Sequence, residues 1–267
     1  MTRTQYRTTV VRTEQLTPHL VRVVVGGDVV AEFPDNGCTD RYVKLMFPRP
    51  GVELPDDGTE LWALPMEQRP IMRTYTIRAI DPINHQLTID FVTHGDEGVA
   101  GPWAMGAKPG DELIMSGPGG AYAPLLDADL HLLVGDEAAI PAMASALEAM
   151  ASDARVIAIV EVQDATEELP LPSPADVDLR WVHRADGGGP DALLDAVRAV
   201  DLPDGRVQAF VHGELHVTRA IRRHLADAGV LAELLSASGY WRRGKDEDGF
   251  QAEKRELAQA DRAAAGA

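Results

Sequence analysis

Short runs rich in Val, Ile, Thr and aromatic residues punctuate the first half of the chain, at 6–15, 20–25, 41–47, 72–80, 86–93 and 111–116. Clusters of Gly, Pro, Asp and Asn bound each run, which is the pattern of β-strands closed by turns. Six strands with no long amphipathic helix among them predict a small antiparallel, six-stranded β-barrel. Residues 33–40 and 48–69 read as loops, and the second is too long for a tight hairpin.

After Pro124 the pattern changes. An apolar run at 131–134 meets a turn, Gly135-Asp136-Glu137, and then an Ala-rich helical stretch at 138–151. Residues 155–162 and 207–211 are nearly continuous apolar runs of the kind buried on both faces, and 179–183 is a further strand. Helices are expected at 190–200 and 217–228, the second closed by Gly229. A last strand falls at 233–238. Strands alternating with helices predict a doubly wound parallel sheet. The boundary lies in the Gly-, Pro- and Asp-rich stretch 119–129, which gives a barrel domain over 1–124 and an α/β domain over 125–245. The remainder, 246–267, has helix-forming composition with Phe250 and Leu257 as anchors, and reads as a docked helix or a frayed tail.

Composition narrows the partners. The chain has 267 residues and a net charge of −17, which repels nucleic acids and anionic lipid surfaces, and no basic stripe reverses this locally. The lone cysteine, Cys38, excludes an internal disulfide, a CxxC zinc site and a cysteine-ligated iron–sulfur cluster. No uncharged stretch is long enough to span a bilayer, and no apolar run follows the N-terminal basic residue. A soluble, cytoplasmic protein with no membrane insertion, a monomer or weak dimer, is expected. There is no G-x-S-x-G elbow and no HExxH, so hydrolase and metalloprotease chemistry falls away.

Two segments carry chemistry. In Arg73-Thr74-Tyr75-Thr76 a strand places Arg73 and Tyr75 on one face and Thr74 and Thr76 on the other. A guanidinium there can hold a pyrophosphate beside a phenol ring lying on an isoalloxazine; the plain alternative is a surface cation–aromatic pair. In Thr93-His94-Gly95, continuing to Gly98-Val99-Ala100-Gly101-Pro102-Trp103, a strand end leads through small residues into a helix start, an arrangement of exposed amides that cradles anions. His94 can stack on or bond a flavin or adenine, or be an ordinary loop histidine, and Trp103 reads as core at the barrel mouth.

Together with Gly135-Asp136-Glu137-Ala138-Ala139-Ile140-Pro141-Ala142, His212-Gly213-Glu214, Arg222-Arg223-His224-Leu225 and Gly239-Tyr240-Trp241-Arg242-Arg243-Gly244, these motifs stand in an order that resembles the siderophore-interacting proteins. That family comprises FAD-dependent NAD(P)H ferric-siderophore reductases built like ferredoxin reductases, and the resemblance runs from Val10 to about Gly244. It implies non-covalent FAD, NADH or NADPH as electron donor, and a ferric siderophore as substrate. It further implies that Arg73 and Thr74 bind FAD beside Tyr75, which lies against the isoalloxazine, and that Thr76 contacts the polar edge. Asp90, Val92 and His94 would line the ribityl or adenine side, next to Trp103. The family's Gly-Pro-Ala-Ser turn is Gly98-Val99-Ala100-Gly101 here, so phosphate binding leans on the amides of Ala100 and Gly101. Asp136, Glu137, Ala139 and Glu214 would face the nicotinamide half of the donor. Lys44, Arg242, Arg243 and Lys245 would hold the anionic chelate. A basic residue expected after the last barrel strand is replaced by Gly117-Pro118-Gly119-Gly120, which points to a different siderophore class. Glu161 and Asp164 favour a free ribose diol on the dinucleotide, whereas His183 and Arg184 could accept a 2′-phosphate; the residues leave both open. The alternatives are a general NAD(P)H:flavin or quinone reductase and a siderophore-binding flavoprotein without nicotinamide turnover.

Overall fold

The computed structural model describes residues 4–265, so the extreme ends of the first and last predicted segments lie outside the described residues. The chain divides into two compact units at Ala123/Pro124.

The first unit is built on one antiparallel sheet. Its strands are β1 (Gln5–Thr17), β2 (Leu20–Gly26), β3 (Tyr42–Phe47), β4 (Ile71–Thr76), β5 (Ala79–Asp81), β6 (Gln86–Val92) and β7 (Glu112–Gly119), in the order β4-β3-β7-β1-β2-β6-β5. The expected six strands are therefore seven. The run 72–80 breaks at Ile77, whose amide bonds back to Arg41 while that of Arg78 turns to Thr88 on β6. That switch curls the sheet, and Tyr75 of β4 meets Phe91 of β6 with ring centroids 4.5 Å apart. Alternate residues of the strands, Val23, Val25, Leu45, Leu87, Ile89, Phe91, Leu113 and Met115 among them, fill the interior with virtually no exposure. Helix α1 (Ala100–Gly106) adds Ala100 and Ala104 to this core. The long 48–69 segment is not a free loop. Its Leu61 is fully buried against Met46 and Ile114 on the sheet's other face, with Leu54, Trp62 and Leu64 packed around it.

The second unit is a parallel sheet, β8 (Leu130–Asp136), β9 (Arg155–Val162), β10 (Asp176–His183), β11 (Val207–Glu214) and β12 (Leu235–Trp241), in the order β10-β9-β8-β11-β12. Helices α2 (Ile140–Glu148), α3 (Ala192–Arg198) and α4 (Leu215–Asp227) accompany it. β8, β9 and β11 are buried almost throughout, which is why they read as unbroken apolar runs. The order reverses between β8 and β11, so their carboxyl ends flank the switch point where such sheets bind ligands. A final helix, α5 (Glu247–Ala265), occupies the stretch left open as helix or tail. Its Phe250 is buried, and its Lys254 ammonium donates to the Gly239 carbonyl at 2.7 Å and to Ser238 Oγ at 3.0 Å.

Candidate functional site

In the first unit, β4 and the turn before α1 supply the expected donors, although Ala100 and Gly101 are themselves buried. Arg73 is half-buried, its guanidinium bonds the adjacent Met72 carbonyl at 2.8 Å, and among the described residues it enters no ion pair. Tyr75 lies half-buried on the core beside Phe91, and Trp103 closes the same cluster, 5.6 Å from Phe47 and 5.7 Å from Phe91 between centroids. His94 is exposed just past β6, where half-buried Val92 ends the strand. The α1 N-terminus has no side-chain cap, so the first-turn amides, those of Ala100 and Gly101 among them, have no carbonyl of their own helix to bond. A guanidinium outside any ion pair among the described residues, an exposed imidazole and uncapped amides next to an aromatic surface fit an anionic dinucleotide carrying a flat ring. Thr76 is buried, and Thr74 is exposed and accepts from Lys44 across β3 and β4. Lys44 also stands 5.7 Å from the centroid of the exposed Tyr42 ring.

Asp90 is placed differently. It faces Arg22 directly across β2 and β6, and its carboxylate receives two guanidinium bonds of 2.7 and 2.8 Å. With its side chain 2% exposed, Asp90 is a buried structural anion rather than a lining group. The sequence reading missed Arg22; the signal was available, since antiparallel pairing of the two runs sets Arg22 opposite Asp90.

In the second unit the predicted turn Gly135-Asp136-Glu137 belongs largely to the end of β8. Asp136 is buried and turned inward. It accepts from the amides of Ala138 at 3.0 Å and Glu214 at 2.8 Å, and from Trp241 Nε1 at 2.7 Å. Burial first, and the neighbouring Glu137 second, push its pKa up to about 7 against those three donors. One carboxylate thus ties together the ends of β8, β11 and β12. The backbone must come very close to it: a Cβ on Gly213, at φ +142°, would lie 2.5 Å from Asp136 Oδ2. Ala139 is fully buried at the start of α2, where a Cβ on Gly135 would meet its own at 2.5 Å. Glu214 caps α4 through the amides of His216 (2.7 Å) and Val217 (3.0 Å), and also takes Arg242 Nη1 at 3.2 Å and the Arg243 amide at 3.3 Å. His212, stacked 3.9 Å from Phe210, is held neutral by burial, which pushes it down to about 3. These contacts fix the shape of the switch point, and Asp136, His212 and Glu214 line it.

Of the expected substrate cations, Arg242 is committed to Glu214 and, at 3.4 Å, to Glu253 of α5, which also bonds His216 at 2.8 Å. Arg243 and Lys245 are exposed. Arg243 borders an open cleft of about 170 Å³ lined also by Pro190, Asp191, Glu214, His216 and Arg242. Glu137 is taken by Arg184, which also bonds Glu161 at 3.2 Å. His183 bonds Glu168 at 2.8 Å and lies 3.5 Å from Asp186. The Arg184 pairing was not visible locally, because Arg184, Glu137 and Glu161 come from the ends of three different strands.

An antiparallel sheet with this donor set, followed by a five-stranded parallel sheet of order β10-β9-β8-β11-β12, defines a ferredoxin-reductase-like flavoprotein. The siderophore-interacting FAD-binding domain matches residues 9–122, and the siderophore-interacting protein domain matches residues 128–244. The chain belongs to the siderophore-interacting protein family. Ferric vibriobactin reductase ViuB of Vibrio cholerae is 31% identical, over 91% of this chain and 92% of that protein. The NADPH-dependent ferric-chelate reductase of Escherichia coli is 32% identical over 87% and 91%. The crystal structure of the siderophore-interacting protein SipS from Aeromonas hydrophila superposes with a TM-score of 0.81, at 32% identity over 97% of this chain and all of that one (100%). Among the described residues no helix is long and apolar enough to cross a membrane, and no cluster of side chains is suited to hold a metal ion.

Proposed function

We propose that this chain is a ferric-siderophore reductase, in which FAD held without a covalent link carries electrons from NAD(P)H to chelated Fe(III) and Fe(II) is released. The observation that carries the reading is the donor set around Arg73, a guanidinium in no ion pair among the described residues, in a domain of the FAD-binding family. A flavin bound there supplies the coupling between a two-electron hydride donor and a one-electron acceptor. Arg73, with the Ala100 and Gly101 amides, holds phosphate; Tyr75 offers the ring a flat apolar face; His94 reaches the ribityl or adenine side. The overall balance is one NAD(P)H and two Fe(III) giving NAD(P)⁺, two Fe(II) and a proton. No general acid or base of the chain is needed. Lys44 in the first unit, and Arg243 and Lys245 in the second, are the candidate cations for an anionic chelate, each a local attraction set against an overall charge of −17. Arg242 contributes by fixing the turn that carries Arg243 and Lys245.

The test is spectroscopic. Purified protein should be yellow, anaerobic NADH or NADPH should bleach it, and ferric siderophore should restore the colour with a ferrous chelator trapping two Fe(II) per nicotinamide. Bleaching without reoxidation by the chelate would favour a general flavin or quinone reductase instead.

A further inference from the structure

In a sheet of this order the adenosine end of a dinucleotide lies over the carboxyl ends of the strands on one side of the switch point, where an acidic side chain accepts from the ribose 2′-hydroxyl or a cation accommodates a 2′-phosphate. Here those strands are β8, β9 and β10. Their register sets Asp136 beside Glu161 and Val162 beside His183, so Glu137, Glu161 and Arg184 emerge side by side. Both basic side chains at the end of β10 are already engaged. Arg184 is clasped by Glu137 and Glu161, with only 26% of its side chain exposed, and His183 is held by Glu168 and Asp186. Arg243 lies near enough to Glu161 to lower that group's pKa, while burial, the larger influence, raises it. Arg184 thus has a carboxylate on each side, Glu137 and Glu161, and both are held at the site by it.

Resting on the reading proposed above, we infer that the donor is NADH, with Glu137 and Glu161 acting as specificity residues that accept the hydroxyls of an unphosphorylated adenosine ribose and withhold Arg184 from a 2′-phosphate. A phosphate arriving here would have to take Arg184 from two carboxylates and then remain beside them. The ribose diol asks for none of this, because hydroxyls donate to the carboxylates while Arg184 stays in place. This preference would separate the chain from its Escherichia coli relative, whose name specifies NADPH.

Binding can be read apart from turnover by titrating the FAD-loaded protein calorimetrically with NAD⁺ and NADP⁺, and with 5′-AMP and adenosine 2′,5′-bisphosphate. The expected result is at least tenfold tighter binding of the unphosphorylated member of each pair. Glu137→Gln with Glu161→Gln should shift each ratio at least tenfold toward the phosphorylated ligand, and the milder Glu137→Gln alone should shift it in the same direction. Equal or tighter NADP⁺ binding by the native protein overturns the inference, as does binding of neither dinucleotide or a ratio unmoved by both variants. Reoxidation of dithionite-reduced protein by ferric siderophore tests the reductase reading independently, since it needs no nicotinamide.

Discussion

Gly213→Ala is the sharpest test of how the switch point is assembled. The new methyl group meets two obstacles. At φ +142° the backbone is one that side chains rarely adopt, a strain of about 1–3 kcal/mol. It would also stand 2.5 Å from Asp136 Oδ2, the oxygen that receives both the Glu214 amide and Trp241 Nε1. Moving that carboxylate forfeits at least one hydrogen bond to a buried charge, roughly 1.5–3 kcal/mol. Together these give roughly 3–5 kcal/mol, or a fall in Tm on the order of 10 °C for a unit of this size. Urea unfolding followed by tryptophan fluorescence reports the change, since Trp241 itself is one of the donors. In an Asp136→Ala background the same substitution should cost only the backbone strain, and the cycle isolates the contact. A loss below about 1 kcal/mol in the native background, or equal losses in both backgrounds, would refute the reasoning.

Arg22→Met should destabilise the first unit by about 3–5 kcal/mol in urea unfolding, because it strands the buried Asp90 carboxylate without its partner. Arg73→Ala should raise the FAD dissociation constant at least tenfold in fluorescence titrations, the loss of about 1.5–3 kcal/mol from one charged hydrogen bond, with little change in stability. Lys44→Ala should raise KM for ferric siderophore with FAD content unchanged, whereas Arg242→Ala should also lower stability, because it breaks contacts to Glu214 and Glu253. Asp136 has an ordinary value of 3.8 and sits near 7 when folded, so between those values the folded protein keeps a proton that the unfolded chain has released. This group therefore loses the protein stability as pH rises from about 4 to about 7. The stability of the native protein relative to Asp136→Asn, measured by urea titration, should fall across that window; a flat difference would show that the carboxyl titrates normally. His212 acts in the opposite sense below 6.5, which is why the difference between two proteins is the informative quantity.

Periodicity made most of the architecture legible. The runs 155–162 and 207–211 betray a parallel sheet because strands covered on both faces carry no polar alternation, and β9 occupies the predicted span, Arg155–Val162. The break at Ile77 was invisible, since it depends on hydrogen bonds to Arg41 and Thr88 rather than on any Gly or Pro in the run. Helix α2 begins later than its composition suggested, as the Ala138 amide is captured by Asp136 and Pro141 suits only the first turn. Arg73, Tyr75 and Trp103 could be picked from strand alternation and small-residue turns. The roles of Asp136, Glu137 and Glu214 could not, because each is decided by a partner, Trp241, Arg184 or Arg242, that lies 28 or more residues away in the chain.

The attachment of α5 has a practical corollary. Phe250, Glu253 and Lys254 all fall within its first two turns, so the grip combines one apolar plug with a polar rim in which Glu253 bonds Arg242 and His216. High salt should slacken the rim while leaving the plug seated. Clipping the polypeptide ahead of Glu247 would strip a counter-ion from the very turn that presents Arg243.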